Sequence, residues 1–294
     1  MATLFGRVYQ IDIILTDGDT RTFDGFVNDP LQVTFQIDQT PNAERSYGQI
    51  SIFGVNRETR RAIYEKGDQV RLVAGWRENF GDIFEGTIEN VEIGRSGADT
   101  FITLFCQSAV TEFEVATVFK TFAPNTSQQE IIRGVAETFG FPVDMVGDYS
   151  DLVPALLGQT FASDTKSVMR KLSRSFQFDW MVLNNRTVTV RDNAARGDEP
   201  FRYSPDTGLI GSPEINAKFG VDVDVLLDPK IKPWDIYTVE STTASLNFNG
   251  VFYQSQEFPE TVGESLNKAL SMTHEGDFYS DTWQTSIGGI LFER

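Results

Sequence analysis

Asp222, Asp224 and Asp228 stand in the segment VDVDVLLD, and carboxylates two residues apart on an extended chain share one strand face. Paired carboxylates of this kind can carry general acid–base chemistry or glycoside hydrolysis. Val221, Val223 and Val225 alternate with them, so the pattern predicts valines facing inward and aspartates facing outward. An outward row of acids can line a channel or an interface. Asp17 and Asp19 in TDGDT are potential calcium ligands, but the further acids of an EF-hand loop are missing, and Asp17-Gly18 reads as a hairpin turn. The single histidine, His274, stands in His-Glu-Gly-Asp. Gly276 and Asp277 break any helical HExxH zinc motif there, and a surface turn is expected. Cys106 sits in the apolar strand FITLFCQ, where a lone thiol behaves as a small core residue. Gly-rich phosphate loops of the GxxxxGK[ST] or GxGxxG type are absent from the sequence. No catalytic, cofactor-binding or metal-ligating residue is assigned, no cofactor is expected, and the reading is of a protein that is not an enzyme.

Composition narrows the classes further. The 294 residues fit two or three domains, and 40% hydrophobic content is enough for real cores. The net charge of −17 disfavours phosphate-driven nucleic-acid binding and attraction to anionic membranes. No run of about eighteen apolar residues is present, so no membrane insertion is expected. MATLFGRVYQID lacks the basic and apolar regions of a secretion signal. One cysteine excludes an intrachain disulfide, which fits assembly in a reducing cytosol. Most of the 24 Phe are expected in cores, some in subunit interfaces.

The elements that must position these residues are mostly strands. Residues 6–15 read as a strand, Asp17-Gly18 as a turn, and 20–27 as its return. Leu31, Val33, Phe35 and Ile37 alternate with polar residues, and TPNAERSYG at 40–48 reads as a polar loop. GQISIFGVNRETRRAIYEKGDQVRLVAGW predicts a strand, a helix over 57–66 capped by Asn56, and a second strand. Gly67 suits the left-handed position after that helix. Gly81 and Gly86 punctuate the next hairpin, and Ile88, Val91 and Ile93 continue its apolar content. A looser echo follows in GVDVDVLLDPKIKPWDIYTVES. There Val223 and Val225 stand where Ile50 and Ile52 stood, and Ile236 and Val239 where Val70 and Val73 stood, with the helix missing.

Residues 107–123 read as a connector. Ser127 with Glu130 then matches a capping box, Ile131, Ile132, Val135 and Phe139 form a helical stripe, and Gly140 ends it. A second copy lies 37 residues on, in Val168, Met169, Leu172 and Phe176. Short strands follow each helix, at 142–146 and 178–183, and Asn184-Asn185 turns the second into 187–191. AARGDEP at 194–200 is a linker. Residues 201–294 are mostly β, with 260–272 either a short helix or a loop leading into a strand, and 283–292 extended. The fold expected is mainly β with an α+β middle. Two β-barrel or sandwich domains, 1–110 and 199–294, flank a connector and small α/β domain at 111–198.

Several segments, in order, resemble the baseplate hub proteins of contractile-tailed bacteriophages. They are ISIFGVNRETRRAIYEKGDQVRLVAGW with IFEGTIENV, the paired units ending FGFPVDM and FQFDWMVLNNRTVTV, and SPDTGLIGSPEINAKFGVDVDVLLDPKIKPWD. Thr207 to Pro213, Asp228-Pro229 and Pro233 fit the family pattern, and His274 to Asp277 resembles a hairpin near its C-terminal strands. Trp234 departs from it, since a glycine is more usual there, and 255–272 is longer than the pattern requires. The resemblance implies two copies of the tail-tube fold in one chain. It implies a homotrimeric, pseudo-sixfold ring joining the tail tube protein to the central spike protein, with a channel for DNA. Baseplate wedge and tape-measure proteins are further implied partners, without specific nucleic-acid binding. The implied place is the virion tail baseplate, after synthesis and assembly in the host cytoplasm. Two other readings stay open: a tail-tip cell-wall-binding or lytic protein, and a hexameric distal-tail or tube-initiator ring of the same fold.

Overall fold

A computed structural model of the chain describes residues 6–41, 44–97, 99–216, 220–241, 245–246 and 265–292. Strands dominate, because most of the chain alternates apolar and polar residues with period two. The first β unit contains β1 (Arg7–Leu15), β2 (Thr20–Asp24), β3 (Val33–Gln39), β4 (Ser46–Phe53), β5 (Gly67–Trp76), β6 (Asn79–Ser96) and β7 (Asp99–Gln107), with α1 (Arg57–Lys66) between β4 and β5. The second contains β13 (Phe201–Tyr203), β14 (Leu209–Ile215), β15 (Val221–Leu226), β16 (Ile236–Val239), β17 (Ser245–Leu246), β18 (Asn267–Asp277) and β19 (Trp283–Leu291). Both belong to one 14-stranded sheet, ordered β17-β14-β15-β19-β18-β3-β4-β7-β6-β5-β1-β2, with β16 on β18 and β13 on β16.

The two units share a strand order. Along the sheet the first runs β3-β4-β7-β6-β5-β1 and the second β14-β15-β19-β18-β16-β13. Sequence order is preserved through all six pairs. A β-bulge falls between Ile88 and Asn90 in β6 and between Ala269 and Ser271 in β18, at equivalent points of the two ladders. Val223 and Val225 do occupy the places of Ile50 and Ile52. Further along, the ladders put Tyr237 rather than Ile236 in the place of Val70, because Val70 faces Gly86 and Tyr237 faces Asn267. The copies also differ in that β13 runs parallel to β16, whereas β1 is antiparallel to β5.

Local chemistry explains several element ends. Asn56 accepts from the Thr59 N–H at 2.8 Å and so caps α1. Gly67 is not left-handed; its φ is −60° and it already begins β5. A Cβ there would lie 2.6 Å from the Ile63 carbonyl oxygen, so close approach is what requires glycine. Gly81 and Gly86 lie inside β6, and the β5–β6 turn falls between Trp76 and Asn79. At Gly86 a Cβ would meet the Gln107 carbonyl oxygen at 2.5 Å. The return strand after Gly18 stops at Asp24.

The middle unit packs on its own core. Here α2 (Val110–Val115) leads into β8 (Thr117–Phe122), α3 (Gln128–Ala136) and β9 (Val143–Val146), then β10 (Gln159–Asp164), α4 (Thr165–Phe176), β11 (Phe178–Leu183) and β12 (Arg186–Arg191). The stretch expected to be a connector thus supplies β8, which pairs with β10. The tandem is therefore two strand–helix–strand units, whose helices pack together. Ser127 and Asp164 cap the two helices, and Asn184 and Asn185 turn β11 into β12 with φ of 45° and 56°. β9 lies parallel to β12 on its other side.

One of the contacts between units corrects a sequence expectation. Among its described residues, the 40–48 segment is not simply a polar loop. Ser46 already belongs to β4, and Glu44 and Arg45 dock on the chain's own middle unit. The Val182 N–H donates to the Glu44 carbonyl at 2.9 Å, and Arg170 grips the Glu44 carboxylate at 2.7 and 2.6 Å. The Arg45 guanidinium lies 4.3 Å from the Phe113 ring centroid. On the other side, Trp234 is fully buried against Met181, Leu183, Val188 and Val190. Its φ is +69°, a conformation glycine adopts freely, which accounts for glycine being usual there. The 260–272 segment resolves in part: Asn267 onward is strand β18, and residues 260–264 lie outside the described residues.

Candidate functional surface

Eight adjacent strands, β14-β15-β19-β18-β3-β4-β7-β6, present one outward face that crosses from the second β unit into the first. Alternation sets this face. In β3, Val33, Phe35 and Ile37 are buried while Thr34, Gln36 and Asp38 turn outward, and in β15 the three valines are buried while Asp222 and Asp224 turn outward. The registers align these positions into rows that run across both units. One row reads Ile210, Asp224, Ser286, Thr273, Asp38, Tyr47, Gln107. A parallel row reads Leu226, Gln284, Glu275, Gln36, Gln49, Phe105, Asn90. Glu214, Asp222, Glu89 and Glu92 extend the acidic character. Among the described residues these eight strands carry two cations, Arg95 at the exposed end of β6 and Lys268 of β18, which is buried against the Asp192 and Ala194 carbonyls.

The carboxylates are held by neutral donors. Ser286 donates to Asp224 at 2.6 Å and Thr273 to Asp38 at 2.8 Å. Asp222 accepts from the Asn216 amide at 2.8 Å and the Gly289 N–H at 3.1 Å. These bonds fix the side chains while leaving their charge unneutralised. Among the described residues, depressions of about 420, 330 and 270 Å³ open on the face, the first beside Asp222 and Asp179 and the last over Cys106. Burial pushes the Asp179 carboxyl and the Cys106 thiol upward.

The residues with possible chemistry do not converge. Asp228 is not on the row of Asp222 and Asp224. It lies beyond β15, where the Tyr203 hydroxyl and the Lys230 N–H donate to its carboxylate at 3.2 and 3.1 Å. Asp17 pairs with Lys66 at 2.7 Å and closes the β1–β2 turn. Cys106 is buried in β7, as its apolar strand predicts. His274 is not at the surface. It is fully buried in β18, with Nδ1 2.8 Å from the Thr285 hydroxyl, and burial, with the Lys232 charge second, lowers its pKa to about 3. It does lie in the C-terminal hairpin, since β18 turns into β19 a few residues later. Among the described residues, no group of three or more His, Cys, Asp or Glu is placed to hold a metal ion.

Sequence reasoning found Asp222 and Asp224 and missed Asp38, Glu275, Glu89 and Glu92. Each strand's alternation was visible in the sequence. The pairing of β18 with β3, which sets the two acidic halves side by side, was not.

Comparison with known proteins adds the family. A family model described as baseplate hub gp41 matches residues 10–253. No curated protein matches the chain in sequence. Among solved structures, the 43 kDa tail protein of prophage MuSo2 from Shewanella oneidensis is similar at TM-score 0.58 and 8% identity, covering 96% of this chain and 98% of that one. The tail protein from Neisseria meningitidis MC58 is similar at 0.58 and 8%, covering 96% of each chain. The E. coli c3393 protein, a component of the type VI secretion system with structural similarity to the T4 bacteriophage tail proteins gp27 and gp5, is similar at 0.55 and 9%, covering 91% and 76%. At these identities the likeness is one of fold: mainly β, two β units flanking a small α/β unit. The model's match runs from β1 through the middle unit into the second β unit, and the chain belongs to the baseplate hub gp41 family, a structural component of the phage tail.

Proposed function

We propose that this protein is the hub at which a tail tube meets the central spike, and that three copies form a pseudo-sixfold ring around a channel for DNA. The observation that carries this reading is the eight-strand acidic face shared by two β units of the same strand order. Two such units per chain give six similar positions around three chains, which suits an adaptor between a hexameric tube and a trimeric spike. An acidic wall poor in cations repels the phosphate backbone, so DNA slides past during ejection without counterion-release binding. In this reading the chain divides at residues 110 and 198 into a tube-like β domain, the middle domain and a second tube-like β domain. It is not an enzyme and needs no cofactor. Its partners are tail tube, central spike, baseplate wedge and tape-measure proteins of a contractile tail. It binds no specific nucleic acid, inserts in no membrane, and is assembled in the host cytoplasm.

The test is solution mass by light scattering with particle images of the same peak. A mass three times 33.0 kDa, in rings with a central hole, supports the hub. Six identical subunits would indicate a distal-tail or tube-initiator ring instead. A monomer that stays single with both tube and spike proteins would overturn the reading.

A further inference from the structure

We infer that the outer edge of β10 receives an extended segment of another protein, which adds a third strand to the β8–β10 ribbon and sets a lysine or arginine beside Asp164. The inference concerns the middle unit and goes beyond the ring reading, since it holds however the copies join. Among the described residues no further strand pairs with either strand of the ribbon. Its register places Phe119 opposite Ala162 and Thr121 opposite Thr160. The inner face packs Val118, Phe122 and Phe161 in or against the core of the middle unit. The outer face turns Phe119, Thr121, Thr160 and Ala162 to solvent, and Phe119 is 76% exposed.

The phase of the hydrogen bonds shows which backbone groups the ribbon leaves unused. The Thr165 N–H donates to the Ala116 carbonyl at 3.0 Å, and the Ala155 N–H donates to the Thr126 carbonyl at 3.0 Å. Both bonds keep the register of the strands between them, in which bonded and non-bonded pairs alternate. Thr160 and Ala162 therefore fall in non-bonded pairs, and their N–H and C=O groups point away from β8. Native proteins guard such edges with lysine, proline or other charges. β8 has these guards, since Lys120 lies in it and Pro124 follows it. Residues 156–163, LLGQTFAS, carry neither charge nor proline. In a chain of net charge −17, an uncharged exposed strand edge is an aggregation hazard unless a partner covers it. Leu156 and Leu157, just ahead of β10, are 76% and 79% exposed and lengthen the apolar strip.

Charge at the end of the strip sets the chemistry of the partner. Asp164 closes β10, and its carboxylate accepts from two neutral donors, the Ser167 N–H at 2.8 Å and the Ser163 hydroxyl at 3.4 Å. The bonds from Ser167 hold this carboxyl below the ordinary carboxylate range, so it stays charged. Nearby Lys166 and Arg170 are engaged by Glu114 and Glu44 at 2.7 and 2.6 Å. The cation that complements Asp164 therefore comes from the partner strand. The rest of that strand is uncharged and β-branched, to match the threonines, Phe119 and Ala162 of the face. Backbone bonds to Thr160 and Ala162 supply affinity, and the alternate side chains supply selectivity.

The test uses the full chain and a synthetic peptide of alternating valine and threonine with a lysine at each end. Hydrogen exchange read by mass spectrometry should slow in residues 156–164 when the peptide is added, and not in β8. Methylating the peptide's backbone nitrogens should weaken binding by about tenfold or more, and so should glutamate in place of both lysines. Ala162→Pro removes an N–H that points away from β8, so it should weaken binding by about tenfold or more with no change in melting temperature. Thr121→Pro, the corresponding change on the β8 edge, should leave binding as it is. If Ala162→Pro lowers the melting temperature, the methylated peptide decides. No slowing at millimolar peptide, or full binding of the methylated peptide, overturns the edge. Equal binding of the lysine and glutamate peptides overturns the cationic partner. Residues 156–164 that exchange slowly without peptide would already be covered. The cover is a second copy if the slowing grows with protein concentration and the chain itself if it does not, and either result overturns the inference.

Discussion

The indole N–H of Trp76, at the end of β5, donates to the Leu227 carbonyl at 3.0 Å, tying the first β unit to the second. Trp283 of the second unit answers with a 3.1 Å bond to the Gly75 carbonyl, next to Trp76 in sequence. Both donors are buried, and Leu227 and Trp283 pack in the first unit's core. The two β units are thus joined by side chains as well as by the β18–β3 ladder.

Trp283→Phe keeps most of the apolar contact and leaves the Gly75 carbonyl without that partner. The expected cost is about 1–3 kcal/mol, the penalty for orphaning a buried polar group plus a small cavity. Urea denaturation, followed at once by tryptophan fluorescence and far-ultraviolet dichroism, reads it. Coincident curves with a lowered midpoint are expected. An unchanged midpoint would contradict the assigned role.

His274 makes stability depend on pH. Its folded pKa of about 3 lies below the ordinary 6.5, so an unfolded chain takes up a proton that the folded one refuses. The stabilisation is full above about pH 6.5 and is lost as pH falls, by ~1.4 kcal/mol per unit while only the unfolded state is charged. Carboxylates titrate in the lower part of the same window, so the comparison is with His274→Gln. The difference between variant and wild type should shift in the variant's favour from pH 7 to pH 5. A difference that does not change with pH would sink the assignment.

Trp234→Gly sets two effects against each other. Glycine relieves the left-handed backbone at φ +69°, worth about 1–2 kcal/mol. It also empties a fully buried indole site between the middle sheet and the second β unit, which costs about 3–5 kcal/mol for Trp→Ala truncations. Packing wins, and the variant should be less stable by a few kcal/mol in denaturant titration. A more stable variant would show that the backbone strain outweighs the core.

Glu44→Gln weakens the grip of Arg170 on the 44–45 segment. The Glu44 side chain is 14% exposed but Arg170 is 47% exposed, so screening keeps the effect to about 0.5–1 kcal/mol. Arg45→Ala should cost more, because it removes the guanidinium from the Phe113 face in a less exposed place. A double-mutant cycle with Arg170→Ala separates the pair from its surroundings.

Asp222→Asn and Asp224→Asn address the lytic alternative. Both carboxylates are occupied by neutral hydrogen-bond donors on an open sheet face. Neither wild type nor variants should release peptidoglycan fragments at high protein concentration. Turnover by the wild type that either variant abolishes would move the protein into the enzyme class.

Much of this molecule was legible in its residues. Period-two alternation set the strands and told which face of each is buried, because a pleated strand sends successive side chains to opposite sides. Asn56, Ser127 and Asn184-Asn185 marked helix starts and a turn, since capping and left-handed backbone are local chemistry. The order of hub-like segments pointed to the family that the 10–253 match then established. Only the tertiary structure decided the rest. His274 reads as a turn residue because Gly and Asp follow it, yet β3 pairs with β18 and buries it. Gly67 reads as a helix cap, yet the closeness of the Ile63 carbonyl is what demands it. The acidic face exists because residues near 38 and near 224 become neighbours across two intervening strands. Strand partners far apart in sequence are chosen by the summed burial of a whole sheet, and no single segment records that sum.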